Sequence, residues 1–181
     1  MKVRRYLRVF ICVVLLGCLS IGGLFFIYPK PYLEEVEKYS TLYGVDPLLV
    51  YSVMKAESGY DPNAISRSGA KGLMQIMNQT GSWGAKECNI SSYSNDKLFE
   101  PSINIQIGSW YLAKLMNQYE GNLDLVLTAY NAGTGNVAKW RTSTQYSEDG
   151  RTLHTIPFKE TRSYVKKVSF HYALYRLLYN Y

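Results

Sequence analysis

With 181 residues, 47% of them hydrophobic and 19% charged, the chain is long enough for one core and too apolar for a disordered polymer. Its charge of +6 is split unevenly: residues 1–30 hold Lys2, Arg4, Arg5, Arg8 and Lys30 with no acid, +5, and the rest has 15 basic and 14 acidic residues, +1. A nucleic-acid partner is not expected, because such proteins carry their excess charge on the folded domain.

Residues 9–28 form a charge-free run of twenty, which as a helix spans about 30 Å, the thickness of a bilayer's hydrocarbon core. Four basic residues precede it, while the segment after it offers Lys30 against Glu34, Glu35 and Glu37. The positive-inside rule then predicts a cytoplasmic tail over 1–8, a single-pass anchor in the cell membrane over 9–28, and a domain outside. Two other readings stay open. A cleaved signal peptide would release the domain as a secreted protein, but no small-residue cleavage site of A-x-A type is present. A lipoprotein would be modified at Cys18 after Leu15-Leu16-Gly17, but apolar sequence continues beyond it. Residues 29–31, with Pro on both sides of Lys30, read as a short stiff linker to a domain over 32–181.

That domain reads as mainly α. A helix is expected from Tyr32 to Tyr43, stopped by Gly44. Asp46-Pro47 caps and opens a second, with Glu57 in its last turn and a stop at Gly59. From Tyr60 to Asn78 the helical period disappears, and GLMQIM reads as a short strand or extended loop. Glu100 is read as the cap of a helix beginning at Pro101 and ending near Gly121; Asn122 caps the next, LDLVLTAYNA. Thr142 to Thr155 is a long polar loop expected to border a cleft. In the last helix Val165, Val168, Tyr172, Tyr175 and Tyr179 form an apolar stripe.

With Cys12 and Cys18 inside the apolar run, Cys88 is alone in the domain and can make neither a disulfide within it nor a cysteine-based zinc site. His154 and His171 are the only histidines and lack an HExxH frame; no GxSxG elbow or phosphate-cradling loop is present. No metal or cofactor is expected. A carboxylate remains. Glu57 follows the apolar Val53 and Met54 at a helix C-terminus, where desolvation and the helix dipole both raise its pKa toward that of a general acid. From position alone a solvated glutamate is the commoner outcome.

The surrounding residues change that balance. Glu57-Ser58-Gly59-Tyr60 with Pro62, Ala64 and Ser66, then Gly69 to Met77 (GAKGLMQIM), then Ala129-Tyr130-Asn131-Ala132-Gly133 follow in order. Pro101, Asn104-Ile105, Gly108, Ile156-Pro157-Phe158 and Glu160 to Val165 (ETRSYV) continue the pattern. Together they resemble the lytic transglycosylase family, in its goose-lysozyme-like, soluble-type catalytic domain. The resemblance implies a mainly α, lysozyme-like helical domain with a small extended segment, here preceded by one transmembrane helix, whose groove holds peptidoglycan glycan strands. It implies that Glu57 is the single catalytic acid and that Ser66 positions the carboxyl or substrate. Met74, Gln75 and Met77 would line the groove, Tyr130 and Asn131 would form its floor, and Tyr164 would face the acid. Gly72 is read as allowing close approach of backbone to sugar or as a plain turn, and Lys71 as solvated.

The implied reaction cuts the β-1,4 bond between N-acetylmuramic acid and N-acetylglucosamine without water, leaving 1,6-anhydromuramyl ends. Two alternatives stay open: a hydrolytic muramidase, if Asp61, Asp96 or another acid faces Glu57, and a non-catalytic peptidoglycan-binding domain. A monomeric domain is expected.

Overall fold

The computed structural model describes residues 22–179. The chain divides into two compact units, Met1–Pro31 and Tyr32–Tyr181. Of the first, residues 22–27 are helical and 29–31 irregular. Most of the expected membrane anchor over 9–28 lies outside the described residues, as does the expected cytoplasmic tail; among the described residues no helix is long and apolar enough to cross a membrane.

Among its described residues the second unit has seven α-helices and one short 3-10 turn. Helix α1 (Leu33–Tyr43) ends where Gly44 turns left-handed at φ 66° and its N–H returns to the Ser40 and Thr41 carbonyls. Tyr32, expected as its first residue, is itself left-handed at φ 56° and stands just outside. Helix α2 (Pro47–Glu57) opens as its sequence dictates: the Asp46 carboxylate accepts the Leu48 N–H at 2.8 Å, and Pro47 needs no partner at the first position. Eight of its eleven residues are buried, Leu49, Val50, Tyr51, Val53 and Met54 among them, so α2 is the central helix of the domain. Burying it needs neighbours on every side, and α7 (Lys159–Tyr179) packs on it most extensively, with Tyr175 stacked on Tyr51 at 5.6 Å.

Helix α4 (Pro101–Gln118) packs against α1. Glu100 occupies its N-cap position, but no cap bond comes from the Glu100 side chain; only its carbonyl serves, accepting from Asn104 N at 3.0 Å. Helix α5 (Leu123–Ala132) is capped as expected, Asn122 accepting the Leu125 N–H at 3.2 Å.

Two helices have no counterpart in the sequence reading, α3 (Asn78–Glu87) and α6 (Thr134–Arg141). Helix α3 carries two glycines, which weaken helix propensity. Tertiary packing explains one of them: a side chain at Gly84 would be driven into Ile107 and Trp110 of α4. The expected extended segment at GLMQIM is not a strand. It reduces to two isolated antiparallel bridges, Ile65 with Lys71 and Lys71 with Ile76, because Gln75 turns back at φ 50° before a ladder can extend.

Candidate active site

Glu57 is the last residue of α2, and the chain leaving it is fastened at once. Ser58 Oγ donates to the Leu73 carbonyl at 2.8 Å and accepts from Tyr60 N at 3.1 Å. The irregular stretch after Glu57 is thereby closed back on the segment around Met74.

Burial raises the Glu57 pKa from 4.5 to about 7; the neighbouring Tyr164 hydroxyl and the charge of Lys167 lower it, and Glu160 adds to the rise. The Tyr164 hydroxyl is buried without a hydrogen-bond partner of ordinary geometry and stands close enough to Glu57 for the two ionisations to oppose each other. Tyr130 stands close enough for its own ionisation to be opposed by Glu57, and its hydroxyl donates to the Met74 carbonyl at 2.9 Å. Both tyrosines have pKa values well above 10.0, burial being the main cause, and stay neutral donors. Lys167 Nζ donates to the Ala56 carbonyl at 2.6 Å, one residue before the acid, where the end of a helix has unpaired carbonyls. The result is a carboxyl that titrates close to neutrality, with two neutral phenols and one cation around it.

Beside this cluster lies a cavity of about 240 Å³ whose walls include Gln75, Met77, Tyr111, Tyr130, Asn131 and Gly133. Asn131 is held from behind, its Oδ1 accepting from Thr161 Oγ1 at 2.7 Å. Gln75 spends both amide hydrogens on backbone, at Ala64 O (3.1 Å) and Gly72 O (2.9 Å). Met77 is 44% exposed.

The remaining sequence-derived candidates sit elsewhere. Met74 is fully buried and supports the site through its backbone: its N–H reaches Asn104 Oδ1 at 2.8 Å and its carbonyl holds Tyr130. Gly72 is buried too. At φ 75°, a side chain there would collide with the Asn104 amide and the Leu98 carbonyl, so this glycine makes room for protein, not for sugar. Ser66 holds its own turn, Oγ accepting from Ala70 N at 2.9 Å. Lys71 is not simply solvated: Nζ reaches Asp96 at 3.4 Å and lies over the Phe99 ring. Loop 142–155 does border a cavity, one of about 650 Å³, but none of the candidate site residues lines it.

Sequence reasoning missed Asn104, Thr161 and Lys167. The first two stand inside motifs that were noted, Asn104-Ile105 and ETRSYV; Lys167 has no local signal, since its partner is 111 residues away. Among the described residues no group of three His, Cys, Asp or Glu could hold a metal ion.

The fold and the site together define a helical domain with a buried carboxyl, Glu57, that titrates near neutrality beside a small cavity. The transglycosylase SLT domain model matches residues 34–152. The chain is 34% identical over 151 residues to the soluble lytic murein transglycosylase of Escherichia coli K12, covering 82% of this chain and 23% of the relative. It is 40% identical over 124 residues to the membrane-bound lytic murein transglycosylase C of Edwardsiella ictaluri, covering 60% and 33%. Among solved structures, an inactive mutant of the lytic transglycosylase Slt of Pseudomonas aeruginosa aligns with a TM-score of 0.76 at 30% identity, over 87% of this chain and 26% of that one. The chain belongs to the transglycosylase SLT domain family. It spans about a quarter of the length of the Escherichia coli and Pseudomonas relatives.

Proposed function

We propose that this chain is a peptidoglycan lytic transglycosylase with Glu57 as its single catalytic acid and base. The observation that carries the reading is the Glu57 carboxyl itself, its pKa raised to about 7 by burial. A carboxyl of that pKa is poised to give and then take one proton near neutrality. Protonated Glu57 donates to the glycosidic oxygen between N-acetylmuramic acid and N-acetylglucosamine. The resulting carboxylate accepts the proton of the muramyl C6 hydroxyl as that oxygen bonds to the anomeric carbon. A 1,6-anhydro ring forms, no water is consumed, and Glu57 ends as it began. Attack by a hydroxyl already attached to the sugar gains the high effective concentration of an intramolecular reaction.

The sequence relatives named above are lytic murein transglycosylases, one soluble and one membrane-bound, and a solved relative is inactive with one glutamate changed to glutamine, all of which supports the assignment. Substrate contacts fall to Gln75, Met77, Tyr130 and Asn131 around the small cavity, with Tyr164 at the acid. Ser66, Gly72 and Met74 act behind them, holding the segment that carries Gln75 and Met77.

A hydrolytic muramidase needs a second carboxyl holding a water. Asp61 is engaged in its own turn with Asn63 N at 2.9 Å, and Asp96 is ion-paired with Lys71. Glu160 is the one acid whose charge reaches Glu57, and it is the residue to watch if water proves to be the nucleophile.

Mass spectrometry of peptidoglycan digests separates the two. Muropeptides lighter by one water and without a reducing muramyl end are expected; products that take up heavy oxygen from labelled water and are reduced by borohydride overturn the assignment.

The charge-free run over 9–28 supports anchoring in the cell membrane with the domain outside it. The chain should then stay with membranes through a high-salt wash and be digested from outside in protoplasts. A soluble form beginning after residue 28, or a lipid-bearing Cys18, overturns the anchor.

A further inference from the structure

The aromatic wall that begins at Tyr130 continues past the small cavity. Tyr130 meets Tyr111 at 5.5 Å between ring centres, and Tyr111 meets Trp83 at 6.4 Å and Trp110 at 6.2 Å. Trp83 and Trp110 meet edge to face at 4.8 Å. Thr80, part of the cavity wall, stands one turn before Trp83 on α3, so cavity and indole share one face of that helix.

Trp83 is 40% exposed although it has close neighbours. Its plane is set by the edge contact with Trp110, by Lys114 Nζ lying 4.7 Å from the ring centre, and by Nε1 donating to Glu87 Oε1 at 3.3 Å. Gly84, the next residue, leaves the room in which Trp110 makes that contact. An exposed indole fixed in this way loses little rotamer freedom when something stacks on it. The C–H faces of a pyranose are flat and apolar, and they match such a surface.

We propose that Trp83, backed by Trp110 and reached from Tyr111, is a distal sugar subsite, taking an N-acetylated pyranose of the strand whose cleavage takes place at Glu57. The proposal rests on the reading of the cleft as a glycan site. Trp83 is a binding residue remote from the reacting bond, so its contribution depends on strand length: a short oligosaccharide filling the cleft does not reach it.

The test is calorimetric titration of the full chain carrying Glu57→Gln, with and without Trp83→Ala. The probes are long peptidoglycan strands freed of stem peptides and a single disaccharide unit from the same strands. Trp83→Ala should weaken long-strand binding about 3- to 10-fold, the factor expected of one aromatic stack, and leave the disaccharide affinity unchanged. Trp83→Leu keeps apolar packing on Trp110 without the flat face and should show the same length-dependent loss, which separates stacking from damage to the fold. Equal weakening of both probes, or undiminished long-strand binding by both variants, overturns the subsite and leaves the catalytic reading intact. Failure of the Glu57→Gln parent to bind either probe overturns both.

Discussion

Residues 58–77 and residues 142–158 are both irregular and rich in polar side chains, yet they are held in opposite ways. The first is fastened to distant elements: Asn104 of α4 bonds Lys71 O, Leu98 O and Met74 N at 2.9, 2.7 and 2.8 Å, and Tyr130 of α5 bonds Met74 O at 2.9 Å. Leu73, Met74 and Ile76 are buried with it. The second is fastened mainly to itself and its flanks: Asp149 gathers the N–H groups of Arg151 and Thr152 at 2.8 and 2.7 Å, and Arg141 Nε reaches Gly150 O at 2.8 Å. A loop is as rigid as the elements its hydrogen bonds reach. A site that must hold a carboxyl against a bond needs the first kind.

The largest effect is expected at Glu57, where the first stretch begins. Glu57→Gln keeps the shape and removes the transferable proton, so turnover of peptidoglycan should fall at least ~100-fold. Thermal unfolding at pH 8 should show no loss of stability. The sign follows from the raised pKa: the folded state holds the proton more tightly than the unfolded chain, so the native glutamate loses stability as pH rises from 4.5 toward about 7, and glutamine does not. Near-normal clearing by Glu57→Gln would overturn the assignment of the acid.

Next comes Asn104, which carries the contrast between the two stretches. Asn104→Ala strips partners from one buried N–H and two carbonyls, a loss of about 3 kcal/mol in urea unfolding. Activity at permissive temperature should drop as well, since Met74 is the link to Tyr130. A loss below ~1 kcal/mol would mean that residues 58–77 are held by burial of Leu73 and Ile76 more than by the hydrogen bonds.

A smaller change is expected from Lys167→Met. Glu57 is faced by Tyr164, Lys167 and Glu160 from α7 and by Tyr130 from α5; of these only Lys167 is a cation, and it lowers the pKa. Activity requires the protonated carboxyl and so falls as pH rises through about 7; without Lys167 that fall should move to higher pH. Lys167→Arg should leave it in place. A fall that stays in place would show that Lys167 acts through the Ala56 carbonyl alone.

The smallest effect is expected at Asp149, whose carboxyl the N–H groups of Thr152 and Arg151 hold well below the usual carboxylate range. Asp149→Ala should speed amide exchange over residues 147–152 and leave turnover within about twofold, as for other exposed sites. A large loss of turnover would break the comparison, because residues 142–158 would then matter to the site despite their local fastening.

The legible helices were those whose ends are chemically marked, by Asp46-Pro47, Pro101, Asn122 and Gly44, and the last helix, whose apolar stripe repeats at helical spacing. Helices α3 and α6 were not legible because short segments containing glycine carry little intrinsic preference; Trp110 against α3, and Val137 and Trp140 buried on α6, stabilise them only once the chain is folded. Within the site, Tyr130 and Asn131 line the small cavity, while Glu57 and Tyr164 are neighbours of Tyr130 and are not part of its lining. Met74 and Gly72 look in sequence like residues that meet a ligand, and they are buried supports instead.

The sequence by itself determined which helix carries Glu57 and, to within two residues, where that helix ends, because capping residues and an apolar run act over three or four positions; that Glu57 is the candidate acid is what the resemblance of its flanking motifs implies. It also fixed the asymmetric charge at the N-terminus, which is a matter of counting. Only the tertiary structure decided how far burial would raise the Glu57 pKa, that Lys167 would sit at the carbonyl preceding it, and that Asn104 would hold the wall of the cleft. Those depend on burial and on partners 30 to 111 residues apart, and desolvation is a property of the packed environment that no local pattern encodes.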